Sequence, residues 1–107
     1  MSDYSVTQAH AMWSAGELVI IDVREGDEHE ATRVEGVPLI PLSELRGRID
    51  EIPTDVPVAV LCGSGARSGR VADYRTAAGE HGEVANIEGG IIAWAVEGLP
   101  YEGEPPR

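Results

Sequence analysis

With 107 residues the chain has room for one domain, 1–107, with a modest core, but not for a core plus a separate functional module. Its formal charge of −11, from 19 acidic residues against eight arginines and no lysine, argues against nucleic acid and anionic membrane as partners, so an anionic substrate has to be captured locally. The 42% apolar content argues against disorder, the single cysteine excludes an internal disulfide framework, and no apolar run is long enough to cross a bilayer.

The opening "MSDYSVTQAH" has neither the basic start nor the apolar stretch of a secretory signal, so a cytoplasmic location is expected. "LVII" at 18–21, bounded by Gly16 and the charged "DVREGDEHE", suits a strand buried on both faces. Next, "PLSELRGRIDEIP" carries Leu42, Leu45, Ile49 and Ile52 at helical spacing, with Ser43 as the expected cap and Pro53 as the stop. "PVAVLC" at 57–62 is a second strand. "RSGRVADYRTAAGEHG" is a helix through Val71, Tyr74 and Ala78. "EVANIEGG" is a third short strand and "IIAWAVEGLP" a helix stopped by Gly98 and Pro100, while the Pro/Glu/Gly tail at 101–107 is expected to fray, leaving a core of about 5–100. Strands alternating with helices predict an α/β fold with a mainly parallel central sheet flanked by helices on both faces.

The only thiol, Cys62, closes the second of these strands, with a helix expected just beyond it. In an open parallel sheet, ligands gather beyond the carboxyl ends of the strands. Gly63, Ser64, Gly65 and Ala66 are all small, so their backbone can curl with its N–H groups inward into an anion-binding nest, to which the helix N-terminus adds partial positive charge. Arg67 and Ser68 supply a guanidinium and a hydroxyl at the rim. Each feature favours thiolate over thiol and predicts a Cys62 pKa below the usual value of about 8.5. A lone cysteine is more often a small buried hydrophobe, but this glycine-rich setting reverses that expectation. His10, His29 and His81 stand in polar segments as expected surface residues without a Cys–His arrangement, and "EHE" at 28–30 offers too few ligands for a metal.

"CGSGARS" resembles the active-site loop of the rhodanese-like sulfurtransferases, whose cysteine accepts a sulfane sulfur and holds it as a persulfide. "LVIIDVREGDEHE" is similar to that family's strand ending in Asp-Val-Arg before a short acidic helix, "IPLSEL" (40–45) to the opening of its next helix, and "EGGIIAWAVEGLP" (88–100) to its closing Gly-Gly-x-x-x-Trp and Gly-Leu-Pro pattern. The matches run in order over roughly residues 5–100. Two departures stand out. "TRVEGV" at 32–37 keeps only Gly36 of the family's Gly-His-Ile-Pro-Gly-Ala, and Gly63 stands where many thiosulfate-using members carry a basic residue. Four residues separate Cys62 from Arg67. Related phosphatases and arsenate reductases have one more, so the tighter ring resembles the sulfurtransferase type, sized for the terminal sulfur of a persulfide.

The resemblance implies a catalytic Cys62 and a substrate-binding loop of Gly63, Ser64, Gly65, Ala66, Arg67 and Ser68. It implies a sulfane-sulfur donor (thiosulfate or a persulfide), a thiol or cyanide acceptor, and no metal or organic cofactor. With no second cysteine to resolve the persulfide, the acceptor comes from outside. A sulfur-relay or docking module acting with a partner protein is the alternative reading, and a phosphatase or arsenate reductase a weaker one. Asp22 and Arg24 end their strand on the same edge as Cys62 if the two strands are neighbours. For Asp22, anchoring the loop through Arg67 or Ser68 and forming a plain strand-end salt bridge are equally supported. Trp94 and Trp13 are expected in or near the core, the acidic run Glu25, Asp27, Glu28 and Glu30 on a solvated helix face, and Gly89 and Gly90 where backbones pack closely beside the site.

Overall fold

The computed structural model describes residues 3–53, 55–64 and 84–106. In chain order its elements are α1 (Val6–Ser14), β1 (Val19–Asp22), α2 (Gly26–Ala31), β2 (Thr32–Arg33), a 3-10 turn (Leu42–Glu44), α3 (Leu45–Arg48), a second 3-10 turn (Ile49–Glu51), β3 (Val58–Leu61), β4 (Val84–Asn86), α4 (Gly90–Val96) and β5 (Glu102–Gly103). The helix expected over 67–82 lies outside the described residues.

β3 is the middle strand of a parallel sheet ordered β1-β3-β4, with Val19 opposite Val58 and Asp22 opposite Leu61 on one side, and Val58 opposite Val84 on the other. All four residues of β3 are buried, as the unbroken apolar run requires of a strand covered on both faces. Alternation sorts the side chains into two cores. Ile20, Ala59, Leu61, Ala85 and Ile87 meet Val6 and Ala9 of α1 and Ile91 and Trp94 of α4. Ile21, Val23, Val58, Val60, Cys62 and Val84 meet Ile40, Leu45 and Ile52 on the opposite face. Residues 38–40 extend the sheet beyond β1, where the Asp22 N–H donates to Pro38 O at 2.9 Å and the Ile40 N–H to Asp22 O at 2.9 Å.

The sequence reading has no helix at 6–14, although its signals are present. Ser5 Oγ accepts from the Gln8 N–H at 3.1 Å as N-cap, and Gly16, at φ +76, closes the far end. The low amphipathic contrast of "VTQAHAMWS" hides it, because small and polar residues interrupt its buried stripe. α4 ends as expected. The Gly98 N–H donates to Ala95 O at 3.0 Å and the Leu99 N–H to Trp94 O at 3.1 Å, with Gly98 left-handed at φ +77.

Details of segment 41–53, Glu25 and the histidines differ from expectation. The segment 41–53 is one α-helical turn between two 3-10 turns instead of a single helix, since Gly47 lies within it and prolines bound it. Ser43 is inside the first 3-10 turn instead of capping it, and its hydroxyl donates to Glu25 Oε1 at 2.7 Å. Glu25 is therefore a tie between two elements: half-buried, it caps α2, and its N–H donates to Glu28 Oε1 at 3.2 Å. His10 and His29, expected at the surface, are half-buried, His10 with its ring centroid 5.4 Å from that of Trp94 and 6.1 Å from that of Trp13, while His81 lies outside the described residues.

The tail does not fray over its described part. β5 pairs antiparallel with β2, the Glu104 N–H donates to Ala31 O at 2.8 Å, and the Thr32 hydroxyl donates to Glu104 O at 2.6 Å. Gly103 makes this pairing feasible: at φ +91, an added Cβ would lie 2.2 Å from Ala31 O. No helix among the described residues is long and apolar enough to cross a membrane.

Candidate functional site

Because β1 and β3 are parallel neighbours in register, Asp22 stands opposite Leu61, and Arg24, two residues past β1, and Cys62, the first residue past β3, emerge at one edge. Cys62 is 1% exposed and shares the apolar cluster of Val23, Val60 and Ile52. Gly63 beside it is half-buried and Ser64 exposed. Gly65, Ala66, Arg67 and Ser68 lie outside the described residues.

Asp22 and Arg24 form a buried ion pair. Asp22 is 0% exposed and Arg24 3%. The carboxylate accepts from the Arg24 N–H at 2.9 Å, from Nε at 3.1 and 3.2 Å, and from Nη2 at 2.8 Å. Nη1 donates to the carbonyl of Glu28 at 3.2 Å, and Nη2 also donates to the carbonyl of Thr32. This is the strand-end salt bridge that the sequence allowed. It also ties the end of α2 and the start of β2 to the edge that carries Cys62.

The backbone of Cys62 and Gly63 is held from the other side by α4. The Ile91 N–H donates to Cys62 O at 2.7 Å and the Ile92 N–H to Gly63 O at 3.2 Å. Such an approach leaves no room for a side chain at position 90: a Cβ there would lie 2.2 Å from Cys62 O and 2.8 Å from Gly63 C. Gly89 and Gly90 are both left-handed, at φ +77 and +58, so the close packing expected of them is what they provide. Trp94, 0% exposed, anchors the same helix by donating from Nε1 to Pro100 O at 2.8 Å.

A cleft of about 320 Å³ runs beside the loop. Gly63 and Ile91 form one part of its lining, Asp27, Glu28 and Ala31 of α2 another, and Glu104, Pro105 and Pro106 of the tail a third. The tail's share was not legible from composition, because it depends on the pairing of β5 with β2. No group of three or more His, Cys, Asp or Glu among the described residues could hold a metal ion.

This arrangement, a cysteine at the carboxyl end of the middle strand of the described parallel sheet with Gly63 directly after it, can be compared with known proteins. The sequence matches the model of the Rhodanese-like domain over residues 5–97. The chain belongs to the rhodanese-like family. A sulfurtransferase of Allochromatium vinosum is 37% identical over 84 residues, covering 78% of each chain. Among solved structures, a rhodanese-related protein from Thermoplasma volcanium superposes with a TM-score of 0.85 at 27% identity, covering 97% of this chain and 100% of that one. A thiosulfate sulfurtransferase from Pseudomonas aeruginosa gives 0.82 at 29% identity, with 98% of this chain matching 21% of that larger one. The rhodanese-like fold accounts for the parallel sheet with helices on both faces.

Proposed function

We propose that this rhodanese-like chain is a sulfurtransferase that carries a sulfane sulfur on Cys62. The Cys62 thiolate attacks the outer sulfur of a donor such as thiosulfate. A new S–S bond forms on Sγ, the donor's S–S bond breaks, and sulfite leaves with the electron pair. The persulfide anion is held by the loop amides and Arg67. A thiolate or cyanide then attacks the outer sulfur and takes it away, which returns Cys62 to the thiolate.

The observation that carries this reading is the position of Cys62 at the carboxyl end of the middle strand, with four residues between it and Arg67. The similarity to a protein described as a sulfurtransferase supports it. Intact-mass measurement after mixing with thiosulfate or an organic persulfide tests it. One added sulfur atom is expected on the wild type and none on Cys62→Ser. Sulfur retained on the Ser variant, or none taken up from any donor by the wild type, would overturn the proposal.

A further inference from the structure

The Gly89–Gly90 turn does more than allow close packing. Every described peptide bond is trans, and in a trans peptide the carbonyl and the following N–H lie in one plane and point in opposite directions. Cys62 O is directed at α4, where it accepts from the Ile91 N–H at 2.7 Å, so the Gly63 N–H of the same plane is directed away from α4. Gly63 O likewise accepts from the Ile92 N–H at 3.2 Å, which turns the Ser64 N–H away from α4 as well. Two successive amides, the first two after the thiol, are thereby turned to one side of the chain. Side-by-side N–H groups of this kind are what an anion-binding turn requires.

Both hydrogen bonds depend on residue 90 having no side chain. At φ +58 an L-residue is strained, and its Cβ would lie 2.2 Å from Cys62 O and 2.8 Å from both Gly63 C and Gly63 O. All three of those atoms are backbone, so relief requires either α4 or the loop to move. We infer that Gly90 is a positioning residue for the sulfur-carrying loop: it lets the first turn of α4 dock on the carbonyls of Cys62 and Gly63 and so presents the Gly63 and Ser64 amides to the anion on Cys62. The inference builds on the sulfurtransferase reading, because it assigns the amides a sulfur anion to hold.

A matched set of variants separates positioning from mere stability. Gly90→Ala introduces strain and contact together. Gly98→Ala, at the other end of α4 with φ +77 and open space around its Cβ, introduces the same kind of backbone strain without touching the loop. Ile92→Pro leaves Gly90 in place and removes the donor to Gly63 O together with the half-buried Ile92 side chain, and the lost N–H, in the first turn of α4, has no helical carbonyl to serve. The first readout is the rate of iodoacetamide alkylation of Cys62 against pH, which follows the thiolate and needs no sulfur transfer. The second is the rate of persulfide formation from thiosulfate.

Gly90→Ala and Ile92→Pro are expected to move the alkylation midpoint to higher pH. They should also slow persulfide formation, on the order of 10- to 100-fold for Gly90→Ala, less than outright loss of a donor costs because the amides are misdirected and not deleted. Gly98→Ala should lower the melting temperature yet keep both readouts. An unchanged alkylation profile in Gly90→Ala and Ile92→Pro, or an equal shift in Gly98→Ala, would overturn the inference. Should Gly90→Ala fail to fold, Ile92→Pro decides alone. A wild type that takes no sulfur from any donor defeats the sulfurtransferase reading, while the alkylation profile still reports on the amides.

Discussion

Arg24→Met measures what the buried ion pair is worth. The substitution keeps an apolar stem of similar length and removes the guanidinium, which donates to Asp22 through Nε and Nη2 and to the carbonyls of Glu28 and Thr32. Asp22, 0% exposed, is then left with the backbone N–H of residue 24 as the surviving one of the donors described above. Removing one partner of a buried pair costs about 3–5 kcal/mol, several times the worth of an exposed pair, because the other charge stays desolvated. A domain of 107 residues has a total stability of about 5–15 kcal/mol, so the loss is a large fraction of the whole. Urea unfolding followed by the fluorescence of Trp13 and Trp94 reads it. At a slope of about 2 kcal/mol per molar, the midpoint should fall by about 2 M with the slope unchanged. The double variant Asp22→Asn/Arg24→Met leaves no buried charge, and its Asn oxygen can still accept from the N–H of residue 24. It should be more stable than Arg24→Met alone. A loss below about 1 kcal/mol in Arg24→Met, the range of exposed pairs, or a double variant weaker than the single one, would refute the reasoning.

Two further outcomes follow from the proposed chemistry. Arg67→Ala should raise the pH midpoint of Cys62 alkylation and slow sulfur transfer on the order of 10- to 1,000-fold, the range for a lost charged stabiliser; an unchanged alkylation profile would assign the stabilisation to the amides alone. The net charge of −11 opposes a thiosulfate dianion at long range, and this repulsion is screened over about 8 Å at physiological ionic strength. Persulfide formation from thiosulfate should therefore accelerate when inert salt is added, whereas a neutral persulfide donor should respond less. A rate that falls with salt would mean that a local positive field near the thiol dominates.

The sequence by itself determined the alternation of short strands and helices, because β-branched runs such as "LVII" and "PVAVLC" and the Gly/Pro breaks between elements act within a few residues. It also indicated Cys62 at a strand end before a glycine-rich turn, since small residues in series are a local signal with a local cause. Residues 65–68 of the expected loop lie outside the described residues, so their part in it stands as proposed. Tertiary structure decided what depends on distant partners. That Asp22, fully buried at the end of β1, pairs with Arg24 was one of two readings open in the sequence; the loop residues of the other, Arg67 and Ser68, lie outside the described residues. The tail, too polar to predict as ordered, gained a strand partner at Thr32–Arg33, far away in sequence, and became part of the cleft lining. Gly90 was readable as a glycine needed for close packing, but which atoms it approaches, the carbonyls of Cys62 and Gly63, was not. Pairings across the chain are set by which apolar faces close against one another, and no local window of sequence contains that information.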